Sequence, residues 1–462
     1  MAVQKIISPI DGSVVAEREL ASDAVVDAVL HAAQAAQTVW RATPISERIR
    51  LCEAMIVHLE TSVADIATEI SWQMGRPVRY TPNEILRGAQ ERARYMMSIA
   101  TEELTDVPVP RVDGFTKYIQ RTPVGTVLIV APWNYPYLTA INSLIPALLA
   151  GNTVIMKHAS QTLLCAERFS EACTAAGFPS GVFQHVHASH SAVERMIQDP
   201  RINFVVFTGS VQGGAAMERA AAGRFIGVGT ELGGKDPSYV RHDADLALAI
   251  SENVDGAFFN SGQSCCGIER IYVHDSVYDE FVEGFVDLTK QYVLGNPMDT
   301  DTTIGPMVNA AAATFVRGQV SAALSGGARA LVDESHFAAS ATGTAYMGPT
   351  ILVDVDHSMN IMREESFGPV IGFMRVRSDD EAIALMNDSP YGLTACLWTQ
   401  DIAAAQTIGR HIETGTVFMN RCDYVDPTLV WSGVKDTGSG IALSRLGFGP
   451  YTRPKSFHLK HN

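Results

Sequence analysis

Two adjacent cysteines, Cys265 and Cys266, stand in the stretch "NSGQSCCGIER" directly after a turn of small residues. They cannot easily form a disulfide with each other, because the peptide between them would be strained. A zinc site would need a CxxC partner or clustered histidines, and none stands nearby. Two interpretations remain. One is buried packing, the commoner role of a lone cysteine. The other is nucleophilic attack by one sulfur, which needs exposure and nearby amides or positive charge.

Other polar residues with catalytic potential follow apolar, strand-like runs. Glu231 precedes two glycines in "TELGGKDP", and Asn134 lies in "APWNYP". A carboxylate can act as a general base, although capping a turn is its commoner role at such a position. A neutral amide can donate to a developing oxyanion without losing its proton. Gly209, Ser210 and Gly214 in "FTGSVQGG" mark a strand-to-helix junction of the kind that binds phosphate groups.

Composition excludes several functional classes. The chain of 462 residues is 47% hydrophobic and 18% charged, as expected for a folded protein of two or three domains. Its net charge of −15, with no long basic run, argues against nucleic acid and anionic membranes as partners. An anionic substrate would therefore need a local positive group to overcome the overall field.

The cysteine count and the N-terminal sequence indicate a cytoplasmic protein. Seven cysteines, an odd number scattered along the chain, fit a reducing compartment better than a disulfide scaffold. The start "MAVQKIISPIDGSVV" has no signal-peptide core, and no uncharged apolar window reaches the roughly 18 residues of a membrane span. No metal site is predicted.

The hydrophobic pattern predicts an α/β fold. The first hundred residues are predicted to be mostly helical, and "SDAVVDAVLHAAQAAQTVW" begins with Ser22 and Asp23 as candidate caps. Short β-branched runs then alternate with helical segments, which is typical of a parallel sheet covered on both faces. The predicted strands of this block lie in 125–132, 153–158, 181–186, 202–209 and 225–234. A second alternating block follows from about 236 to 435.

Two further segments alternate outside both blocks. They are "ELTDVPVPRVDGFTKYIQRTP", residues 103–123, and the final "TRPKSFHLKHN". One interpretation is an arm that pairs with another subunit. Ordinary surface hairpins are equally compatible with the sequence.

The order, spacing and identities of these motifs, together with "MREESFGPV", resemble the aldehyde dehydrogenase superfamily over essentially the whole chain. The resemblance implies two doubly wound Rossmann-like domains, one for the cofactor and one catalytic, plus a small β oligomerisation arm that makes a homodimer or homotetramer. The implied bounds are 1–102 and 122–234 for the cofactor domain, with 436–449 returning to it, 235–435 for the catalytic domain, and 103–121 and 450–462 for the arm.

The resemblance also assigns chemistry. It implies NAD(P)⁺-dependent, non-acylating oxidation of an aldehyde to a carboxylic acid through a thiohemiacetal and a thioester. Cys265 matches the family nucleophile and Cys266 does not. Asn134 and the backbone amide of Cys265 would stabilise the oxyanion, and Glu231 would activate the water that hydrolyses the thioester.

For the cofactor, the resemblance implies contacts from Trp133, from Lys157 to the adenine ribose, from Glu365 to the nicotinamide ribose, and from Phe367 beside the ring. Gly209, Ser210 and Gly214 would form the pyrophosphate loop. Many NAD-specific relatives have a glutamate where this chain has Ser160. We expect NADP⁺ to be accepted, because no carboxylate repels its 2′-phosphate, while NAD⁺ stays possible. Ser160 could equally be a helix N-cap.

Departures from the family pattern affect the substrate tunnel. Ser143 replaces a frequent lysine, and "VWSGVKDTGSG" replaces a glycine-rich motif near the C-terminus but keeps Lys435. Arg421 could clamp the carboxylate of a semialdehyde, as in the succinate-semialdehyde branch that "KHAS" and "GFPSGVFQ" resemble, or could pair with Asp423 or Asp426. The candidate substrate residues are Thr139, Asn142, Cys266, Arg421, Tyr424 and Trp431.

Three rival functions are weighed against this one. A CoA-acylating relative would tend to lack the general base that Glu231 supplies. A catalytically silent paralogue would not need Cys265, Glu231 and Asn134 together. A cysteine hydrolase would need a histidine placed by a recognisable motif, and none is found.

Overall fold

The computed structural model describes residues 2–461. Its helices, in chain order, are α1 Asp23–Trp40, α2 Ile45–Thr61, α3 Val63–Met74, α4 Gln90–Glu103, α5 Leu138–Leu149, α6 Leu163–Ala176, α7 His190–Gln198, α8 Val211–Ala221, α9 Leu246–Phe258, α10 Tyr278–Thr289, α11 Ala310–Ser325, α12 Asp379–Asn387 and α13 Ile402–Gly409. A π-helical turn, Glu84–Ala89, leads into α4.

The strands, in chain order, are β1 Val3–Ile7, β2 Val14–Glu19, β3 Val107–Pro108, β4 Phe115–Pro123, β5 Thr126–Ala131, β6 Thr153–His158, β7 Phe183–His185, β8 Ile202–Thr208, β9 Gly227–Glu231, β10 Asp236–Val240, β11 Ile268–His274, β12 Arg329–Val332, β13 Thr350–Val353, β14 Val370–Val376, β15 Tyr391–Gly392, β16 Thr394–Trp398, β17 Thr416–Met419, β18 Val434–Lys435 and β19 Thr452–Lys460.

The first sheet is parallel throughout, in the order β7-β6-β5-β8-β9. All six residues of β5 are buried. Val127 and Ile129 pack into one core with α2, α5 and α6, while Leu128 and Val130 pack into another with α1 and α7. A strand that is apolar on both faces is what a doubly wound sheet requires. The chain leaves β5 first towards β6 and later returns to β8, so the topological switch point lies between β5 and β8.

The second sheet has seven strands in the order β12-β13-β14-β11-β10-β16-β17. Only the edge strand β12 is antiparallel to its neighbour. Helices α9 and α10 cover one face, and α11, α12 and α13 cover the other. The predicted α/β class with two doubly wound parallel sheets is therefore confirmed.

The two segments predicted to alternate outside these sheets pair with each other. Strand β19 runs antiparallel to β4 along nine residue pairs, and β3 extends the sheet on the other side of β4. A hairpin of β1 and β2 precedes α1, where the sequence predicted mostly helix. Within residues 2–461, no helix is both long and apolar enough to cross a bilayer. The domain bounds stay predictions.

Candidate active site

Two cavities meet at the carboxyl end of the first sheet. The inner cavity, about 210 Å³, lies among α4, α5 and the loops around residues 259–266 and 423–431. The sheet-edge cleft, about 430 Å³, lies over the ends of β5, β6, β8 and β9. Both are lined by Thr139, Thr208, Glu231, Leu232 and Cys265. The predicted nucleophile and the predicted general base therefore stand at the border between the two cavities.

The loop that precedes Cys265 has an unusual backbone. Asn260, Ser261 and Gly262 have φ angles of 54°, 58° and 70°, in the left-handed region. A Cβ on Gly262 would lie 2.3 Å from the carbonyl oxygen of Gly368, so only glycine fits there. Non-glycine residues in this region cost on the order of 1–3 kcal/mol each, and persist where the surroundings hold them. Here the side-chain amide of Asn260 donates to the carbonyl of Gln263 at 3.1 Å.

The two adjacent cysteines differ in access. Cys265 is partly exposed and lines both cavities, whereas Cys266 is buried and lines only the inner one. Contact with Cys265, together with burial, raises the pKa of Cys266 well above its usual range. Of the two cysteines, only Cys265 has access to both the inner cavity and the cleft.

Asn134 follows β5 and is buried. Its side-chain amide donates to the carbonyl of Gln263 at 3.3 Å. An amide NH₂ carries two N–H donors, and this bond uses one of them. The bond ties Asn134 to the residue two positions before Cys265.

A buried ion pair, which the sequence analysis missed, supports Asn134. Arg76 and Glu84 pair at 2.6 Å, and both side chains are almost fully buried. Arg76 also donates to the backbone carbonyl of Asn134. Glu84 accepts from the backbone N–H groups of Tyr137 and Leu138 at 3.0 Å each, at the start of α5. No local sequence pattern distinguishes this pair, since its partners become visible only when α3, α4 and α5 are packed together.

Glu231 ends β9 and is buried at the border of the cavities. Burial raises the pKa of Glu231 to about 7, and the nearby charge of Arg92 partly opposes that shift. A carboxylate whose pKa lies near neutrality can both take up and release a proton there. Asp423 also lines the inner cavity, although the sequence suggests it only as a partner for Arg421. Burial, together with the charges of Asp255 and Glu252, raises its pKa to about 7.

The sheet-edge cleft contains most of the predicted cofactor residues: Trp133, Lys157, Ser160, Gly209, Ser210, Glu365 and Phe367. The rings of Trp133 and Phe367 meet edge to face, with centroids 5.6 Å apart. Ser210 caps α8 by accepting from the N–H of Gly213. The N-cap interpretation of Ser160 is wrong, because α6 begins after Thr162. His190, exposed at the first position of α7, also lines the cleft and was not predicted.

Lys157 supplies a cation to this cleft. It is only 6% exposed, and burial alone lowers its pKa. Within residues 2–461, its ammonium group donates to no side-chain or backbone acceptor. Because Lys157 lines the cleft, its ammonium N–H groups can donate to the hydroxyl or phosphate oxygens of a ligand there. The cleft thus fits the dinucleotide that the resemblance implies.

A second buried ion pair supports Glu365. Lys235 pairs with Glu269 at 2.5 Å, and Glu269 accepts from the backbone N–H groups of Ser366 and Phe367 at 2.8 and 2.9 Å. Burial and the charge of Glu269 raise the pKa of Glu365 to about 8. As a largely neutral carboxyl group near pH 7, it could donate as well as accept a hydrogen bond.

Glycines allow close approach around this carboxyl group. A Cβ on Gly233 would lie 2.2 Å from an oxygen of Glu365. Gly214, predicted to bind cofactor, does not line the cleft. It packs against Leu232, where a Cβ would lie 2.7 Å from the leucine side chain. The role of Gly214 in this structure is therefore close packing of helix against strand.

Four predicted substrate residues, Thr139, Asn142, Cys266 and Trp431, do line the inner cavity. The structure does not bring Arg421 and Tyr424 to it. They line a neighbouring pocket of about 140 Å³, where the Arg421 guanidinium stacks 3.7 Å from the Tyr424 ring centroid. The Tyr424 hydroxyl donates to Glu91 at 2.8 Å. In the described chain Arg421 forms no ion pair with Asp423 or Asp426, and its guanidinium face stacks on the Tyr424 ring instead.

One cluster of metal-ligating side chains occurs in residues 2–461, formed by Glu167, His185 and His187. None of the three lines either cavity. Both oxygens of Glu167 accept from Arg18, at 2.6 and 2.9 Å. The cluster therefore forms a network of polar contacts beside β2, in which Glu167 binds Arg18.

The chain is similar to known aldehyde dehydrogenases in sequence and in fold. Residues 2–457 match the sequence profile of the Aldehyde dehydrogenase family. A succinate-semialdehyde dehydrogenase [NADP(+)] of Mycobacterium avium is 34% identical over 97% of this chain and 95% of its own. An aldehyde dehydrogenase of Paenarthrobacter nicotinovorans is 36% identical over 92% of both chains.

Among solved structures, an NAD-dependent aldehyde dehydrogenase from Sinorhizobium meliloti superposes with a TM-score of 0.94 at 30% identity, over 99% of this chain and 92% of that one. Profile, relatives and fold agree along nearly the whole length. The protein is therefore a member of the aldehyde dehydrogenase family, an NAD(P)-dependent aldehyde oxidoreductase.

Proposed function

We propose that this enzyme oxidises a small aldehyde to the carboxylic acid through covalent catalysis by Cys265, with water and not CoA as the acyl acceptor. The observation that carries the proposal is the border position of Cys265 and Glu231. Both line the inner cavity, which can hold an aldehyde, and the cleft, which fits a dinucleotide.

In the first step the sulfur of Cys265, after loss of its proton to solvent, attacks the carbonyl carbon as a thiolate; a C–S bond forms and the π electrons move to oxygen. The free N–H of the Asn134 amide and the backbone amide of Cys265 are the donors for that oxyanion. Arg76, which pairs with Glu84, and Asn260 both donate to the backbone carbonyl of Asn134 and so hold this residue in place. A nicotinamide held beside Glu365 and Phe367 would supply the hydride acceptor, so that loss of hydride from the tetrahedral carbon restores the C=O bond and leaves a thioester on Cys265.

In the second step Glu231 takes a proton from water, whose oxygen attacks the thioester carbon. The C–S bond breaks, the acid is released and Cys265 regains its free sulfur. A general base needs a pKa near the working pH, and burial brings the pKa of Glu231 to about 7. A general base that activates water favours hydrolysis of the thioester over transfer of its acyl group to CoA.

For the cofactor we propose that both NADP⁺ and NAD⁺ are accepted, with NADP⁺ favoured. Lys157 and Ser160 would hold the adenine ribose or its 2′-phosphate, Ser210 the pyrophosphate, and Glu365 and Phe367 the nicotinamide end. Support comes from the unpaired ammonium of Lys157 and from a serine where a carboxylate would repel phosphate. Comparison of kcat/KM for the two cofactors tests this, and a strong preference for NAD⁺ would contradict it.

For the substrate, succinate semialdehyde is the first candidate because relatives such as the Mycobacterium avium protein carry that name. Other small aldehydes are the alternatives. We further propose a homodimer or homotetramer joined through the β3-β4-β19 sheet. A cytoplasmic location is supported by seven cysteines that form no disulfide in residues 2–461. Light scattering of the purified protein gives the subunit number.

The decisive experiment follows NAD(P)H absorbance across an aldehyde panel, with and without CoA, and then quenches the enzyme during turnover for mass spectrometry. We expect reduced cofactor, free acid in both conditions, and acyl mass on the peptide that contains Cys265. Acid formation with no mass on that cysteine would contradict the mechanism, and an acyl-CoA product would contradict the water step.

A further inference from the structure

The side chain of Arg92 forms part of the wall of the inner cavity. It lies on α4, is 8% exposed, and was absent from the sequence predictions. One terminal nitrogen, Nη1, donates to Asn142 Oδ1 at 3.1 Å and to the Leu138 carbonyl at 3.3 Å. In the described chain Nε and Nη2 donate to no protein acceptor. An arginine has five N–H donors and stays charged in proteins, so several donors here lack a partner.

No carboxylate of the cavity neutralises this charge by direct contact. Glu84 is bound to Arg76 at 2.6 Å. Burial raises the pKa of Glu231 and of Asp423 to about 7, so both groups are partly protonated near neutral pH. Within residues 2–461 neither of them forms an ion pair with Arg92. Buried charges in proteins are normally paired, and an unpaired one at a cavity wall suits an anionic ligand.

We propose that Arg92 binds a carboxylate at the far end of the aldehyde, so that the inner cavity selects oxo acids over neutral aldehydes of equal length. The inference rests on the proposed function, because it takes Cys265 as the group that attacks the other end. A guanidinium edge with two N–H groups matches a carboxylate in bidentate geometry. It also supplies the local positive group that an anion needs on a chain of net charge −15.

Asn142 acts in this proposal as a positioning residue. Its Oδ1 accepts a hydrogen bond from Nη1 of Arg92. The guanidinium edge formed by Nε and Nη2 is therefore not used in binding α5. An aspartate at position 142 would be nearly isosteric but would give Arg92 an internal anion. Asn142→Asp therefore tests the charge of the site without removing Arg92 and without opening a cavity.

The test compares kcat/KM for paired substrates, succinate semialdehyde with butanal and adipate semialdehyde with hexanal. The variants are Arg92→Met, Arg92→Lys and Asn142→Asp, with Arg87→Met as the matched control at an exposed arginine one turn earlier. We expect Arg92→Met to lower the oxo-acid to neutral-aldehyde ratio about 100-fold, mainly through KM, because a carboxylate would enter the cavity unpaired. Arg92→Lys should retain part of this ratio. Asn142→Asp should lower the ratio about tenfold, and Arg87→Met should leave the ratio unchanged.

Two results would overturn the inference. One is an equal loss for both substrates of a pair, which would indicate a purely structural role for Arg92. The other is a wild-type enzyme that prefers the neutral aldehyde. Stabilisation of the folded protein by succinate, compared with butyrate, is measured alongside by thermal unfolding. If no aldehyde is oxidised but succinate stabilises wild type and not Arg92→Met, the proposed function fails while the anion site stands.

Discussion

The two cavities that meet at Cys265 are built in different ways. Most of the cleft wall comes from residues at or just after the carboxyl ends of β5, β6, β8 and β9, four neighbouring strands of one parallel sheet, and Cys265, Glu365 and Phe367 add to it from later in the chain. The inner cavity draws on segments far apart in the chain, from residue 76 to residue 431. Strand ends of a parallel sheet share one edge, so the cleft follows from local motifs, whereas the inner cavity depends on tertiary packing.

Each cavity nevertheless has a buried ion pair behind it. Arg76–Glu84 holds the backbone of Asn134, next to the predicted nucleophile. Lys235–Glu269 holds the segment from Glu365 to Phe367, which we propose to contact the nicotinamide end of the cofactor. We therefore expect one pair to affect catalysis and the other to affect cofactor binding, and variants can separate the two effects.

The largest expected effect separates the one sulfur that both cavities share from the one that lines only the inner cavity. Cys265→Ala should lower aldehyde oxidation by roughly 10⁴-fold or more, because removal of a nucleophile leaves only binding and oxyanion contacts. Cys266→Ala should retain most activity, since the buried thiol has no access to the cleft. Steady-state NAD(P)H formation measures both. If Cys266→Ala loses activity while Cys265→Ala keeps it, the nucleophile is Cys266 and our assignment is wrong.

The next effect compares the two ion pairs. Glu84→Gln should lower kcat about 100-fold, because a misplaced Asn134 no longer meets the oxyanion. Glu269→Gln should instead raise the KM for NAD(P)⁺ with a smaller change in kcat. Either substitution leaves a buried cation unpaired and should reduce the free energy of unfolding by roughly 3–5 kcal/mol, measured by urea denaturation.

A surface pair provides the control for this comparison. Glu53 binds Arg94 with both side chains well exposed, so Glu53→Gln should cost less than about 1 kcal/mol and leave both kinetic constants unchanged. If Glu84→Gln and Glu269→Gln affect kcat and cofactor KM alike, the division of labour between the two pairs is wrong.

The sequence predicted the first sheet and its edge well for a physical reason. Strands buried on both faces appear as continuous apolar runs, and the polar residues at or just after their carboxyl ends, such as Lys157 and Asn134, must meet at one edge. The β1–β2 hairpin was missed because its strands are short and largely exposed. Arg92 was missed because nothing in the periodicity of α4 tells a surface arginine from one that faces a cavity.

The third prediction concerns Glu231, which belongs to both cavities. Burial raises its pKa from 4.5 to about 7, so the base is protonated below pH 7 and thioester hydrolysis should slow about tenfold per pH unit there. The folded state keeps this proton while the unfolded chain has lost it. Stability should therefore fall as pH rises from 4.5 to about 7, and less so in Glu231→Gln.

Rate profiles and urea titrations between pH 5 and pH 8 measure both consequences, and Glu231→Gln should also accumulate the thioester. Glu60→Gln, at a half-buried glutamate that pairs with Arg94 outside both cavities, is a suitable control because it should leave the profile unchanged. A wild-type profile that is flat across pH 7 would remove Glu231 from the role of base.

The smallest effect tests the boundary of the inner cavity. The sequence offered Arg421 as a carboxylate clamp, but its guanidinium stacks on Tyr424 in a separate pocket. An exposed cation–π contact is worth about 0.5–1 kcal/mol, so Arg421→Met should lower stability slightly. It should change kcat/KM for succinate semialdehyde by less than about twofold, because the Arg421 side chain does not line the inner cavity and its charge is partly screened by solvent. Assayed beside Arg92→Met, it separates one arginine at the cavity wall from another outside it. A loss in Arg421→Met as large as in Arg92→Met would move the substrate boundary outward to the loop of residues 421–424.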